Sequence, residues 1–389
     1  THHMAKTMRS IPYGHQSIDD DDVRSVIEVL KGDWLTTGPT VDLFEADLAG
    51  YVGARYAVAV NSGTSALDIA VQVLDLPKGS EIITTPFTFA ATSNAILYNG
   101  HIPIFADIDP KTRNIHPDEI RRRIGPKTRA IIYVDYAGQP CAIDEIREIA
   151  GEYDLRLIED ACHALGASYK GRKIGAFADM TVFSFHPVKP ITTGEGGAVV
   201  TDDPALDVKL RMLRSHGLTR DVGNLFGEGA SWGYDIKLLG RNYRMTDIQA
   251  ALGVSQLKKI DSFIKRRNEI AALYGRALSD LAWLDLPAAM AGVTHGWHLY
   301  TVLVNGVERN TLFSYLKEQG VGVNVHYIPI YKFSYYQRHY PQNINAFPST
   351  EDVFNRILTL PLYPGMKDED VEYVSEQLHG AESDLGISA

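Results

Sequence analysis

Between residues 55 and 202 the chain repeats one rhythm. Short apolar runs (RYAVAV, EIITT, IPIFADID, AIIYVDY, LRLIED, MTVFSF and AVVTDD) alternate with segments long enough for helices. Runs that stay apolar instead of alternating with polar residues mark strands buried on both faces, and helix-length connections between them predict parallel pairing. The expected class is α/β, with a mostly parallel central sheet flanked by helices.

The rhythm changes at NYRMTDIQAALGVSQLKKI. Thr246 and Gln249 have capping-box spacing, and the apolar residues after them recur at helical intervals, so a long helix is expected to leave the first unit here. Beyond it, LYTVLVN reads as a strand, while TLFSYLKEQG and DEDVEYVSEQL read as helices, an α+β pattern. The expected division is a tag remnant and N-terminal arm over 1–15, a large domain over 16–255 and a small C-terminal domain over 256–389. The acidic run Asp19 to Asp22 reads as the solvated start of a helix reaching Leu30.

Composition narrows the class further. With 389 residues and 45% hydrophobic content, the chain can bury a substantial core. No apolar run approaches the roughly 20 residues of a membrane span, THHMAK has no apolar signal core, and neither a membrane nor a metal is expected. Cys141 and Cys162 are the only cysteines, which fits a reducing cytoplasm better than a disulfide framework. A net charge of −10 disfavours nucleic acid as a partner.

Four stretches carry candidate chemistry. In VNSGTSALDIAVQVL a strand runs into a helix near Thr64, so free N–H groups at the helix start, with the Thr64 and Ser65 hydroxyls, could hold a phosphate. In TTPFTFAATSNAIL, Phe87 and Phe89 follow a strand end, where an aromatic face could stack on a flat heterocycle; taken alone, both read better as core. LRLIEDACHALGA ends a strand in Glu159 and Asp160, with His163 three residues on. Such a carboxylate needs a cation or donors, and a protonated pyridine nitrogen would serve, with His163 bonding the ring substituents. MTVFSFHPVKPITTGEGGAVV then supplies Ser184 and Lys189, a lysine able to attack a carbonyl if part of it is neutral. Singly each stretch is weak. Together, in this order, they are the parts needed to hold pyridoxal phosphate as a Schiff base.

The same residues resemble the DegT-type sugar aminotransferases, a branch of the fold-type I pyridoxal-phosphate enzymes. LTTGPTVDLFE, NSGTSAL, PFTFAAT, IEDACHALGA, FSFHPVKPITTGEGG, RSHGLTRD, NYRMTDIQAALG and WHLYTV carry the likeness along nearly the whole chain. The resemblance implies that Lys189 forms the covalent link to the cofactor, Asp160 pairs with the pyridine nitrogen, Phe89 stacks on the ring and His163 lies near it. It also implies that Thr64, Ser65 and Ser184 hold the phosphate, joined by Asn242 from the other subunit of a homodimer. Thr37, His186 and Tyr327 would face the substrate, and Arg241 stands where the family more often has an aromatic. The implied reaction moves an amino group from L-glutamate, through pyridoxamine phosphate, to the 4-keto carbon of a nucleotide-linked, UDP-type 6-deoxysugar. Amination at the 3-keto carbon, a dehydration (which in some relatives replaces the lysine with histidine) and a non-catalytic regulatory role are the competing readings. His186 raises the second, but the pattern SFHPVKPITTGEGG places Lys189 at the anchoring position.

Overall fold

A computed structural model describes residues 9–388, so the proposed tag remnant lies outside the described residues. The seven apolar runs become strands of one sheet: β1 (Tyr56–Val60), β2 (Glu81–Thr84), β3 (Ile102–Phe105), β4 (Thr128–Val134), β5 (Arg156–Asp160), β6 (Met180–Ser184) and β7 (Gly197–Thr201). Their order across the sheet is β1, β7, β6, β5, β4, β2, β3. From β3 to β6 every neighbouring pair is parallel, while β7 runs antiparallel to both β6 and β1. The mostly parallel sheet is therefore as expected, with one reversed strand.

Helices cover both faces. On one side Ile131, Leu157, Phe183 and Val200 pack with Phe44, Leu48 and Ile264; on the other Ile132, Ile158, Val182 and Val199 pack with Leu67, Val71 and Ile96. Because successive strand residues face opposite sides, near-continuous apolar runs are what a doubly covered sheet requires. A further cluster, containing Tyr274, Trp283, Tyr300, Leu358 and Val374, surrounds a three-stranded antiparallel sheet of Leu284–Asp285, Tyr300–Val304 and Ile357–Leu360. Ile11 enters this cluster and pairs with Val321, which ties the N-terminal arm to the C-terminal third of the chain.

Two details depart from the sequence reading. The capping box forms as predicted, with Thr246 Oγ1 accepting the Gln249 N–H at 3.1 Å and Gln249 Oε1 accepting the Thr246 N–H at 2.9 Å. However, the expected single long helix is two, Asp247–Leu257 and Ile260–Ala277. Lys259 at the break reaches Asp22 at 2.7 Å. Asp22, expected in solvent, is fully buried against that lysine and Gln256, and only the outer acidic residues of the helix Asp20–Lys31 are solvated. An unpaired carboxylate could not be buried so deeply, so the acidic run docks the first helix onto the second half of the molecule. Among the described residues, no helix is long and apolar enough to cross a membrane.

Candidate active site

Strands β1, β2, β4, β5 and β6 all end at one edge of the sheet, which opens into a cavity of about 600 Å³. The carboxyl ends of strands in an open α/β sheet are where ligands bind, because helix starts and irregular backbone converge there. Here β1 leads through Ser62, whose side chain caps the helix Gly63–Val73 by accepting the Ser65 N–H at 3.0 Å. The preceding two N–H groups, of Gly63 and Thr64, meet no acceptor among the described residues. Glycine is needed at 63, where a Cβ would come within 2.8 Å of Ser184 Cβ. Thr64 and Ser184 thus line one end of the cavity together. Ser65 does not, since its hydroxyl donates to Asn61 and accepts from Ser62, which braces the turn from behind.

Asp160 closes the middle of the same wall. Only 4% exposed, it accepts the Thr92 hydroxyl at 2.7 Å and the Cys162 N–H at 3.3 Å. Both bonds fix the orientation of the carboxylate. Lys189 is part-buried and lines the same cavity. Burial lowers its pKa below the ordinary lysine value, while nearby Cys162 and Asp160 pull it back up. His186, three residues earlier, also lines the cavity but is exposed.

Phe89 and Phe87, two residues apart, have opposite fates. Phe87 is fully buried, as expected for core, whereas Phe89 is 62% exposed and lines the cavity. His163 is buried among Tyr136, His298 and Tyr327. Its Nδ1 accepts the Ala137 N–H at 3.0 Å, so the proton of the neutral ring sits on Nε2, which bonds Tyr327 Oη at 2.9 Å. Both ring nitrogens are thus engaged within the protein, and the expectation that His163 bonds the ring substituents meets a competitor in Tyr327. The group left with a free O–H is Tyr327, because its oxygen accepts from His163.

The remaining wall went unread in the sequence. Tyr13, His298, Asn324, His326 and Phe333 line it, drawn from the N-terminal arm and the C-terminal third. His298 is fixed through its backbone: its N–H donates to Ala137 at 2.9 Å, and the buried Arg267 donates to its carbonyl at 3.3 Å. Burial lowers the pKa of His163 and His298 well below the usual histidine value and takes His326 down to about 4. All three are uncharged at neutral pH. Thr92 was the one missed contact with a readable signal, since Thr88 and Thr92 stand at i, i+4 and lie 3.0 Å apart.

Two expected contacts lie outside this cavity. Thr37 is exposed at φ 51°, and Asn242 is exposed on the strand-like bridge to Ser215. Arg241 beside it is turned away, its Nε held 3.2 Å from the buried carboxylate of Asp68.

Comparison with known proteins agrees with this geometry. Residues 16–379 match the DegT/DnrJ/EryC1/StrS aminotransferase family. Spore coat polysaccharide biosynthesis protein SpsC of Bacillus subtilis is 40% identical over 371 residues, covering 94% of this chain and 95% of that protein. Among solved structures, Helicobacter pylori PseC, an aminotransferase involved in the biosynthesis of pseudoaminic acid, superposes with a TM-score of 0.91 at 33% identity, covering 97% of this chain and 100% of the other. The pyridoxal-phosphate form of the sugar aminotransferase Spr1654 from Streptococcus pneumoniae, itself described as putative, gives 0.90 at 30% identity over 97% and 100%.

Proposed function

Because the chain belongs to the DegT/DnrJ/EryC1/StrS aminotransferase family of sugar aminotransferases and carries their pyridoxal phosphate, we propose that it transfers an amino group from L-glutamate to the 4-keto carbon of a nucleotide-linked, UDP-type 6-deoxysugar. The product would be an aminosugar for a surface polysaccharide or glycan, made in the cytoplasm. The observation that carries this reading is the convergence of Lys189, Asp160 and the Gly63–Thr64 turn on one cavity.

The residues present fit the cofactor. The free N–H groups of Gly63 and Thr64, with the Thr64 and Ser184 hydroxyls, hold its phosphate at a helix start. Asp160, fixed by Thr92 and Cys162, keeps a proton on the pyridine nitrogen by charge pairing. Phe89 offers its exposed face to the ring, and His163 with Tyr327 closes the side nearest the C-terminal third. When bound, the cofactor supplies an electron sink and carries the amino group between the two half-reactions. Lys189, its pKa lowered by burial, takes a proton from the donor's α-carbon and returns one to the carbon being aminated. His186 and Tyr327 face the sugar nucleotide.

A second copy of the chain completes the site in this reading. Thr37 and Asn242 belong to neighbouring loops, joined through the Thr36–Thr246 bridge. Trp34 and Leu35 just before Thr37, and Trp232, Tyr234, Ile236 and Leu239 in the segment leading to Asn242, leave large apolar side chains exposed. A homodimer would cover that face and bring Asn242 to the partner's phosphate site. The boundary between the large and small domains falls near residue 256, close to the break between the helices ending at Leu257 and starting at Ile260.

Mass spectrometry of products from UDP-, dTDP- and GDP-linked keto sugars with glutamate tests the assignment. The expected product gains one amino group at the fourth sugar carbon. Nitrogen at the third carbon would reassign the regiochemistry, and loss of oxygen without gain of nitrogen would make the chain a dehydratase. No amino transfer from any donor would support a regulatory protein.

A further inference from the structure

Behind Asp160, on the opposite face of the sheet, lies a cluster of ionisable groups that the proposed reaction does not use. The two-residue strand period turns Glu159 away from the cavity, to the side of Leu157 and, on the neighbouring strand, Tyr133. Glu159 is fully buried, as is Asp135, the residue that follows β4. Their carboxyl groups meet, and Tyr133 Oη lies beside them. One oxygen of each is served, since Cys141 N–H donates to Asp135 Oδ1 at 2.9 Å and Thr181 Oγ1 donates to Glu159 Oε1 at 3.4 Å. Among the described residues, Asp135 Oδ2, Glu159 Oε2 and, beside them, Tyr133 Oη have no hydrogen-bond partner.

Among the described residues, the groups that act most strongly on this pair include no cation. The groups facing the pair are Tyr133 on β4, the Cys141 thiol, Thr181 on β6 and, across the sheet, the Asp160 carboxylate. Two carboxylates in contact in a buried site cannot both stay ionised, whereas one proton between them pairs Asp135 Oδ2 with Glu159 Oε2. Burial raises the pKa of both acids, which agrees with that accounting.

We propose that Asp135 and Glu159 share one proton and that this pair is a latch positioning Asp160 and His163. Asp135 donates its own N–H to the Asp160 carbonyl at 3.2 Å. It also opens the turn Tyr136–Gly138, in which Ala137 sits at φ 60° and gives its N–H to His163 Nδ1. A non-glycine residue persists at such a φ only where its surroundings over-determine it. Three ties do so here: Asp135 to Cys141, Asp135 to Glu159, and the Tyr136 N–H to Asn114 Oδ1 at 2.8 Å. The shared proton thus secures the turn that aims His163 and the strand end that presents Asp160.

The latch rests on the roles proposed above for Asp160 and His163, so its test has one arm independent of them. Infrared spectroscopy of the full-length protein with isotope-labelled Asp and Glu is expected to show a protonated-carboxyl band at neutral pH that Glu159→Gln removes. Absence of that band in the wild type, or its persistence in Glu159→Gln, overturns the shared proton, and the wild-type measurement needs no variant to fold. In the second arm, Glu159→Ala weakens pyridoxal-phosphate binding about tenfold, the scale of one lost buried hydrogen-bond partner, and shifts the pH titration of the bound cofactor's absorbance. Glu159→Gln, which keeps a donor at the junction, restores both, while Val374→Ala in the other core cluster moves neither. A Glu159→Ala protein with wild-type affinity and titration overturns the latch, whichever sugar the enzyme uses.

Discussion

The two walls of the cavity are built differently. One consists of strand ends: the Ser62–Thr64 turn, Asp160 and the Ser184–Lys189 segment, each delivered by a strand of the same sheet. The other is assembled from His298, the stretch Asn324 to Ile328 and, from the far end of the chain, Tyr13, brought to them as the N-terminal arm docks beside Val321. The first wall holds charged and hydroxyl groups suited to a fixed cofactor. The second holds uncharged histidines and tyrosines that donate and accept hydrogen bonds, which suits recognition of the hydroxyl groups of a ligand. In the proposed reaction the strand-end wall would carry the chemistry and the composite wall the selectivity.

The sharpest break of that comparison is Lys189→Ala. Lys189 is the only lysine among the residues lining the cavity, so the substitution is expected to lower turnover by roughly 10²–10⁴-fold or more. Cofactor absorbance should change from that of a lysine-linked to that of a free aldehyde, checked by spectra beside steady-state kinetics. Full activity would remove Lys189 from the chemistry.

Next in size is the pair Phe87 and Phe89, which separates wall from core within one strand-end loop. Phe87→Ala is expected to cost about 3–5 kcal/mol of stability, because the side chain is fully buried beside Tyr136. Phe89→Ala should leave stability within about 0.5 kcal/mol and instead weaken cofactor binding by about 0.5–1.5 kcal/mol. Denaturant melts and cofactor titrations on both variants decide the matter, and equal stability losses would place Phe89 in the core.

These two phenylalanines also show what the sequence could and could not reveal. The sheet was legible because strands covered on both faces need unbroken apolar runs, and the meeting of Lys189, Asp160 and Thr64 at one cavity was legible because each sits in a short segment at a strand end. Which phenylalanine faces the cavity is decided by the backbone of the turn, where Phe89 starts the helix Ala90–Tyr98 in extended geometry. No local pattern encodes that. Asp22 was misread for a related reason: its partners Lys259 and Gln256 lie more than 230 residues away, and burial of a paired charge looks locally like a solvated helix start. Tyr13 and His326 likewise carry no motif that distinguishes them from core aromatics.

The composite wall should announce itself in the pH dependence of stability. His326 titrates near 4 in the folded chain and near 6.5 when unfolded. Between those values the unfolded chain binds a proton that the folded chain refuses, so stability is present above about pH 6.5 and declines as pH falls toward 4. The slope is about 1.4 kcal/mol per pH unit for each such histidine. His326→Asn should flatten denaturation curves compared at pH 7 and 5, whereas Ser184→Ala, an uncharged change in the strand-end wall, should leave the slope unchanged. An unaltered slope in His326→Asn would mean that this histidine is charged in the fold.

Tyr327→Phe is the mildest of these perturbations and the most specific. It deletes one oxygen, so the His163 Nε2–H loses its acceptor while the ring packing against Phe89 and Tyr136 survives. If the hydroxyl serves the amino acceptor, KM for the sugar nucleotide should rise about fivefold, on the scale of 1 kcal/mol for one hydrogen bond, with kcat nearly unchanged. A double-mutant cycle with His163→Ala then tells whether the two walls are joined. Groups in direct contact are expected to couple by about 0.5–3 kcal/mol, and coupling in that range would mean that the neutral histidine sets the direction in which Tyr327 offers its proton. Additive losses would mean that the tyrosine acts from its own wall, with His163 as packing alone.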